Sequence, residues 1–185
     1  MEMMLERSKV LKLTLCALFV ALTAIGAFIR IPTPLAPFSL QVLFVMMAGI
    51  VLGSKLGLAS QLAYIFIGLA GIPIFTQGGG PSYVFQPSFG FLLGFAAAAF
   101  VIGKVTEHMK QLTVKGLFAA GLAGLAAIYM IGLPYLYLIV NVYLGGEMPV
   151  SAVLWSACAI FLPGDMIKIF IAAVLSKKIL QAIQY

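Results

Sequence analysis

Long apolar runs, separated by short polar or proline- and glycine-rich breaks, occupy nearly the whole chain. Each run is close to, or longer than, the ~20 residues that an α-helix needs to cross the hydrocarbon core of a bilayer. The runs cover residues 10–29, 38–53, 57–72, 88–103, 116–143 and 151–176. This pattern predicts an all-α integral membrane protein, with six transmembrane helices in a single transmembrane domain over residues 1–185.

The breaks between the runs predict turns and one longer loop. Three prolines within residues 30–37 end the first helix, because proline cannot continue it. Residues 73–87 form the longest irregular stretch, whose glycines open backbone shapes that other residues avoid. Its aromatic residues, among them Phe75 and Tyr83, belong to an exposed loop in this prediction. We interpret the stretch as a lid over a pocket; a disordered loop with interfacial aromatics is the alternative.

Composition supports the membrane interpretation and excludes a soluble domain. Hydrophobic residues make up 63% of the chain and charged residues only 9%. An ordinary soluble protein has about 25% charged residues. The protein is therefore expected to lie in membrane lipid as a multi-pass protein.

The net charge of +6 follows from cations that lie on one side of the predicted membrane. These cations, near span ends or in loops, are Arg7, Lys9, Lys12, Lys55, Lys104, Lys110, Lys115, Lys177 and Lys178. Of the remaining two, Arg30 falls on the other side and Lys168 falls within a span. An excess of Lys and Arg marks the cytoplasmic side, so both termini are predicted to be cytoplasmic. The charge gives no indication of nucleic-acid binding.

Asp165 and Lys168 are the most informative residues, because they lie inside the last apolar run. Each charge costs about 2.5–3.5 kcal/mol at the centre of a membrane helix on insertion scales. Three residues apart, they share one helix face and can pair. Pro163 and Gly164 weaken the helix just before them. We interpret the pair as part of a binding site; a structural ion pair between helices is the alternative.

Metal and nucleotide chemistry find no support in the sequence. Cys16 and Cys158 fall inside apolar runs, where a thiol acts as a small hydrophobe. The single His108 lies in a basic loop, and no second His or Cys stands at ligand spacing. Residues 49–55 end in Gly-Ser-Lys without forming a Walker motif, which excludes ATP hydrolysis by that route.

Two amides and a pair of small residues in the predicted spans are candidates for contacts with a ligand or with another helix. Gln41 and Asn141 are amides near the outer ends of spans, and a buried amide needs hydrogen-bond partners. Ala17 and Ala21 are small residues four apart in the first span, which lets another helix approach closely. From the residues alone, that helix is equally well one of the protein's own or a partner's.

These motifs together resemble the BioY family, the biotin-binding S components of energy-coupling factor transporters. The resemblance is carried by residues 17–27 (ALFVALTAIGA), 37–41 (PFSLQ), 71–75 (GIPIF), Gly78 with Gly79, 86–95 (QPSFGFLLGF) and 162–165 (LPGD) with Lys168. The motifs occur in the family's order over nearly the whole chain. One departure is Pro87-Ser88-Phe89-Gly90-Phe91, where the family usually has Pro-Thr-Gly-Gly-Tyr.

The resemblance implies a six-helix S-component fold in a prokaryotic cell membrane, with no enzymatic activity and no cofactor. It implies that the protein captures biotin and works with a transmembrane coupling subunit and two cytoplasmic ATPase subunits. The family's docking face for the coupling subunit falls on Ala17 and Ala21.

Biotin's chemistry gives the predicted site residues their roles. Its ureido ring has two N–H donors, for which Asp165 is the expected acceptor, while Lys168 balances Asp165 and donates to a ligand oxygen. Asn141 and Gln41 are supplementary candidates. The residues expected to close the outer loop over the ligand are Gly79, Ser82, Tyr83 and Phe75.

Three other functions stay open. An intramembrane enzyme needs a hydrolytic set that one Asp and one Lys do not make. An S component for another vitamin, such as riboflavin or thiamine, shares the architecture but uses other pocket residues. A self-sufficient, ion-coupled transporter, with Asp165 as its proton site, needs no ATPase partner.

Overall fold

The computed structural model describes residues 2–33 and 35–183; Pro34 and the chain ends at Met1 and residues 184–185 lie outside it. The side chains of residues 2–8, including Arg7, and of Ile183 also lie outside it. Its helices are α1 (Glu2–Phe28), α2 (Gln41–Leu69), α3 (Phe89–Glu107), α4 (Val114–Leu138), α5 (Val150–Leu154) and α6 (Leu162–Ile183). Two short antiparallel strands, β1 (Arg30–Ile31) and β2 (Phe38–Ser39), join α1 to α2.

Five helical stretches of the described chain are long and apolar enough to cross a membrane. Two of them combine several elements. Helix α4 continues through a π-helical turn, Ile139–Tyr143, and α5 is joined to α6 through a second one, Trp155–Ala159. The prediction of an all-helical, multi-pass membrane protein is confirmed.

Helix α2 reverses direction at Gly53, which has a φ of 77°. The Gln41 side-chain amide lies 2.9 Å from the Tyr64 hydroxyl, although a straight helix would separate these residues by about 35 Å. The two halves of α2 therefore pack against each other as an antiparallel hairpin. They correspond to the second and third apolar runs of the sequence.

The turn of this hairpin is held by the end of α3. The Glu107 carboxylate accepts hydrogen bonds from the Ser54 backbone N–H at 2.7 Å and from its hydroxyl at 2.8 Å. Gly103 allows this approach, because a Cβ at that position would collide with the Ser54 backbone. Lys104 completes the cluster 3.7 Å from Glu107. The turn of the α2 hairpin, which carries Lys55, and the end of α3, which carries Lys104, thus lie at the same end of the bundle.

The core forms where α2, α3, α4 and α6 meet, and α1 packs on its edge. Fully buried side chains such as Met46, Ile102 and Leu117 fill the centre. Helix α1 buries Phe19 and Thr23 but leaves Leu18 and Ile25 about half exposed. In a bilayer, these exposed apolar side chains contact lipid.

The stretch 73–87 is an ordered segment with a one-turn 3-10 helix, Pro81–Phe85. The Gly80 N–H donates to the Gly68 carbonyl at 2.7 Å and ties the segment to α2. Phe75 and Tyr83 are 1% and 4% exposed, so the expectation of exposed aromatics is wrong for both. Their rings pack inward because a buried ring removes more apolar surface from solvent than an exposed one.

Candidate ligand-binding site

A cavity lies between β2, the 73–87 segment and helices α2, α3, α4 and α6. Its interior is narrow, about 50 Å³, below the roughly 300–1,000 Å³ of small-molecule sites, so a bound ligand requires the lining side chains to move apart. Six of the residues that line it are aromatic: Phe38, Tyr83, Phe91, Phe95, Tyr129 and Phe161. This lining is chemically suited to a molecule that combines an apolar body with a few polar groups.

Asp165 and Lys168 form an ion pair on the wall of this cavity. The Lys168 Nζ lies 2.6 Å from Asp165 Oδ1, and the residues are 4% and 3% exposed respectively. Helix α6 begins at Leu162, so Pro163 occupies the first turn, where its missing N–H is tolerated. Gly164 has no Cβ to collide with the Phe38 ring, which covers the pair. The sequence Leu-Pro-Gly-Asp therefore starts the helix and brings an aromatic ring over its charges.

The remaining contacts of Lys168 are with a backbone carbonyl and an aromatic ring. Its Nζ donates to the Ser39 carbonyl at 3.0 Å and lies 3.7 Å from the centroid of the Phe38 ring. Oxygen atoms of Asp165 and Ser39 are therefore partners for two of the three N–H groups of an ammonium. The third N–H group can donate to a ligand oxygen in place of its contact with the Phe38 ring.

The Asp165 carboxylate has hydrogen-bond acceptor sites beyond those used by its neighbours. Its Oδ2 accepts a hydrogen bond from the Tyr129 hydroxyl at 2.5 Å, while Oδ1 faces Lys168. A carboxylate has about four acceptor sites, so these contacts leave about two of them unused, although Oδ1 itself is fully buried. Neutralised by Lys168 and oriented by Tyr129, this carboxylate is suited to binding two N–H donors.

Gln41 links the ion pair to the 73–87 segment. The Ser39 hydroxyl donates to Gln41 Oε1 at 3.0 Å, and Gln41 Nε2 donates to the Tyr64 hydroxyl at 2.9 Å. Tyr64 in turn donates to the Ile74 carbonyl at 2.7 Å. One chain of hydrogen bonds thus runs from the site to the segment that covers it.

Three hydroxyl groups form a second polar patch on the cavity wall. The Tyr83 hydroxyl lies 3.1 Å from that of Thr76 and 3.3 Å from that of Ser88. Ser88 immediately precedes α3. We call Thr76, Tyr83 and Ser88 the hydroxyl triad.

Four of the predicted ligand-binding residues line the cavity: Asp165, Lys168, Gln41 and Tyr83. Phe75 lies behind the wall, with its ring centroid 4.5 Å from that of Tyr83. The other three predicted residues, like Phe75, are not among the residues that line it.

Asn141, Gly79 and Ser82 take up structural positions. The Asn141 amide forms two hydrogen bonds with the Met148 backbone, at 2.7 and 3.0 Å, and closes the turn before α5. Gly79 packs tightly against the backbone of Ile72, and the Ser82 side chain is exposed. Ala17 and Ala21 are both exposed on one face of α1, away from the cavity.

Sequence reasoning missed Tyr129, Ser39, Phe38 and two members of the hydroxyl triad, Thr76 and Ser88. Tyr129 carried a usable signal, because it lies deep in an apolar run, where a phenol hydroxyl needs a partner. Ser39 contributes a backbone carbonyl, which has no sequence signature.

Comparisons with known proteins agree on one family. Residues 2–185 match the BioY family model. The chain is 52% identical over 141 residues to a probable biotin transporter BioY of Lysinibacillus sphaericus, covering 76% of this chain and 72% of that protein. It is 34% identical over 163 residues to the biotin transporter BioY of Thermotoga maritima, covering 88% and 91%.

A solved structure has the same fold. The crystal structure of the S-component for biotin from an ECF-type ABC transporter superposes with a TM-score of 0.84. The two chains are 28% identical, and the alignment covers 95% of this chain and 93% of that one.

Proposed function

The chain belongs to the BioY family and is a biotin-capturing S subunit of an energy-coupling factor transporter, and we propose that it binds biotin in the cavity beside Asp165 and Lys168. The observation that carries this proposal is the buried ion pair on the cavity wall, in which the carboxylate keeps free acceptor sites.

The two free acceptor sites of Asp165 match the two N–H groups of a ureido ring. Lys168 lowers the cost of holding the carboxylate in apolar surroundings, and Tyr129 fixes its orientation. Gln41 uses one of its two amide hydrogens on Tyr64, which leaves the second for the ureido carbonyl. This assignment gives each polar group of the ring a partner.

Apolar contacts supply the rest of the affinity. A charge-assisted hydrogen bond contributes about 1.5–3 kcal/mol net, whereas nanomolar binding needs about 12 kcal/mol. The rings of Phe38, Phe91 and Phe161 enclose the part of the cavity next to the ion pair. They are suited to the thioether ring of biotin.

We also propose six membrane crossings, with both termini in the cytoplasm. The α2 hairpin supports this count, because its two halves run antiparallel. The 3.9 Å contact of the Cys16 thiol with the Leu56 carbonyl supports the shared cytoplasmic side, because it brings α1 close to the turn that carries Lys55. The sources of the relatives, bacteria and archaea, support a prokaryotic cell membrane.

Transport itself is assigned to a complex with a coupling subunit and two ATPase subunits. The exposed alanines of α1, Ala17 and Ala21, are the proposed docking face, since they allow close approach of another helix. The sequence has no Walker motif of its own, so ATP has to be hydrolysed by other chains.

The deciding experiment is calorimetric titration of biotin into the purified protein in detergent. We expect tight binding by the parent, and losses of about a hundredfold or more in Asp165→Asn and Lys168→Ala. Two exposed residues give matched controls, Glu147→Gln and Lys115→Ala, which should bind like the parent. If both cavity variants bind as tightly as the parent, the site assignment is wrong.

Two further measurements separate the alternatives. Tighter binding of riboflavin or thiamine than of biotin would identify another vitamin as the ligand. Reconstitution of the lone protein in liposomes, with and without a proton gradient, tests the ion-coupled mechanism. Gradient-driven uptake without ATPases contradicts the proposal of an ATP-dependent complex.

A further inference from the structure

We infer that a groove between α4 and α6 selectively binds an anionic phospholipid, from the leaflet that borders the lysine-rich end of the bundle. The groove is lined by Val114, Lys115, Phe118 and Phe170, and its volume is about 260 Å³. It shares no lining residue with the cavity beside Asp165. The inference therefore concerns a second site and does not depend on the proposed function.

The groove is apolar apart from Lys115, which makes it suited to an acyl chain. Phe170 is 55% exposed, and the side chains of Val114 and Phe118 are only half-buried. In a bilayer, these apolar side chains contact lipid. An acyl chain fits the groove whatever headgroup it carries, so selectivity has to come from charge.

Helices α4 and α6 run antiparallel, which brings the start of α4 beside the end of α6. The Tyr129 hydroxyl of α4 donates to Asp165 in the first turn of α6. Earlier in α4, Gly121 lies against the side chain of Ile169, which is one turn later in α6. The start of α4 and the end of α6 therefore reach the same membrane surface.

Two lysines flank the groove at this surface, one from each helix. Lys115 forms part of the wall, and Lys177 follows Phe170 by two helical turns on the same face of α6. Along the helix axes, Lys115 lies about 9 Å and Lys177 about 12 Å from the contact between Gly121 and Ile169. The two cations therefore lie at a similar depth beside one groove.

The charge around the groove favours a negative headgroup. Residues 108–118 and 169–183 contain no Asp or Glu. Among the described side chains, no carboxylate lies within salt-bridge distance of Lys115 or Lys177. Basic pockets between transmembrane helices bind anionic headgroups, and the aliphatic stem of a lysine can lie along an apolar wall. The phosphate of phosphatidylglycerol complements the two lysines, whereas the ammonium of phosphatidylcholine repels them.

The test is native mass spectrometry of the purified protein in detergent, titrated with dioleoyl phosphatidylglycerol or dioleoyl phosphatidylcholine. These lipids have the same acyl chains and differ in charge. The parent is compared with Lys115→Gln, Lys177→Gln and the double variant. Lys178→Gln is the matched control, because this neighbour of Lys177 projects about 100° away around α6. Glycerol phosphate serves as a headgroup without chains, and co-purification of the coupling subunit is measured for each variant.

The parent and the Lys178→Gln control should bind phosphatidylglycerol roughly tenfold more tightly than phosphatidylcholine. Each of Lys115→Gln and Lys177→Gln should reduce this preference about fivefold, because each removes one cation near the headgroup. The double variant should bind both lipids equally and as weakly as the parent binds phosphatidylcholine. Melting curves without added lipid show that each variant is folded.

Four results would overturn the inference. The first is a parent without preference between the two lipids, and the second is a preference that Lys178→Gln reduces as much as Lys177→Gln does. The third is binding of glycerol phosphate as tight as that of phosphatidylglycerol, which assigns the lysines to a free phosphate. The fourth is unchanged lipid binding by the double variant together with loss of the coupling subunit, which assigns the groove to a protein partner.

Discussion

Helices α1 and α6 are both apolar, and both carry lysines near one end, yet they are packed differently. Helix α6 packs against α2 and α4 and buries Asp165 and Lys168 in the cavity wall. Helix α1 packs mainly against α2 and leaves most of its surface, including Ala17, uncovered. A helix enclosed by others can hold charges for a ligand, whereas one at the edge offers a surface to a partner. The comparison predicts that changes in α6 affect binding and changes in α1 affect transport.

The largest effect is expected from separating the two charges of α6. Asp165→Ala leaves Lys168 buried without its partner, so we expect biotin affinity to fall at least about a hundredfold and stability to fall by about 3–5 kcal/mol. The double variant Asp165→Ala with Lys168→Met removes both charges. It should regain thermal stability but not binding, as measured by melting curves and calorimetry. Parent-like affinity in the double variant would show that the pair is only structural.

Changes on α1 are expected to impair transport and leave biotin binding intact. Replacing Ala17 and Ala21 by leucine adds bulk to an exposed face, so the coupling subunit cannot approach closely. Biotin affinity of the isolated protein should stay unchanged, while biotin uptake by cells that express the whole complex falls roughly tenfold or more. Ala126→Leu, an exposed alanine of α4, is the control that should transport normally. Loss of binding in the α1 variant would contradict the division between the two helices.

A smaller effect is expected from Tyr129→Phe, which removes one hydrogen bond to Asp165 and keeps the aromatic ring. Affinity should fall roughly tenfold, because the carboxylate loses the donor that orients it. Tyr137→Phe, a more exposed phenol of the same helix, serves as the control. Equal affinities of both variants in calorimetric titration would remove Tyr129 from the site.

The smallest effect is expected where α1 meets α2. Thr23 accepts a hydrogen bond from the Gln61 amide at 3.3 Å, and both residues are fully buried. Thr23→Val should lower stability by about 1 kcal/mol and leave biotin affinity unchanged. Adding Gln61→Leu removes the second polar group and should restore the melting temperature. A change in affinity would mean that α1 acts on the cavity through this contact.

The sequence predicts those parts of the molecule that depend on local composition. The apolar runs correspond to the helical stretches, and the Gly53–Ser54 turn falls where a polar break interrupts them. Asp165 and Lys168 were recognisable because two charges in an apolar run need a polar environment. Each of these features can be recognised within a few residues of the chain.

The rest depends on which distant segments meet. The sequence predicts Asn141 as a ligand-binding amide, and it does not reveal that this amide bonds the Met148 backbone across a turn. The Tyr129 contact joins α4 to α6, and the hydroxyl triad joins the 73–87 segment to the start of α3. Such contacts arise from packing between helices, which periodicity does not specify. Composition therefore located the ion pair but not the residues that complete the site around it.

A transport protein has to stay folded in the bilayer after it has released its ligand. In this protein, the ion pair of α6 is already held by Tyr129, the Ser39 carbonyl and the Phe38 ring. Departure of the vitamin therefore leaves no isolated charge in the apolar surroundings of the cavity.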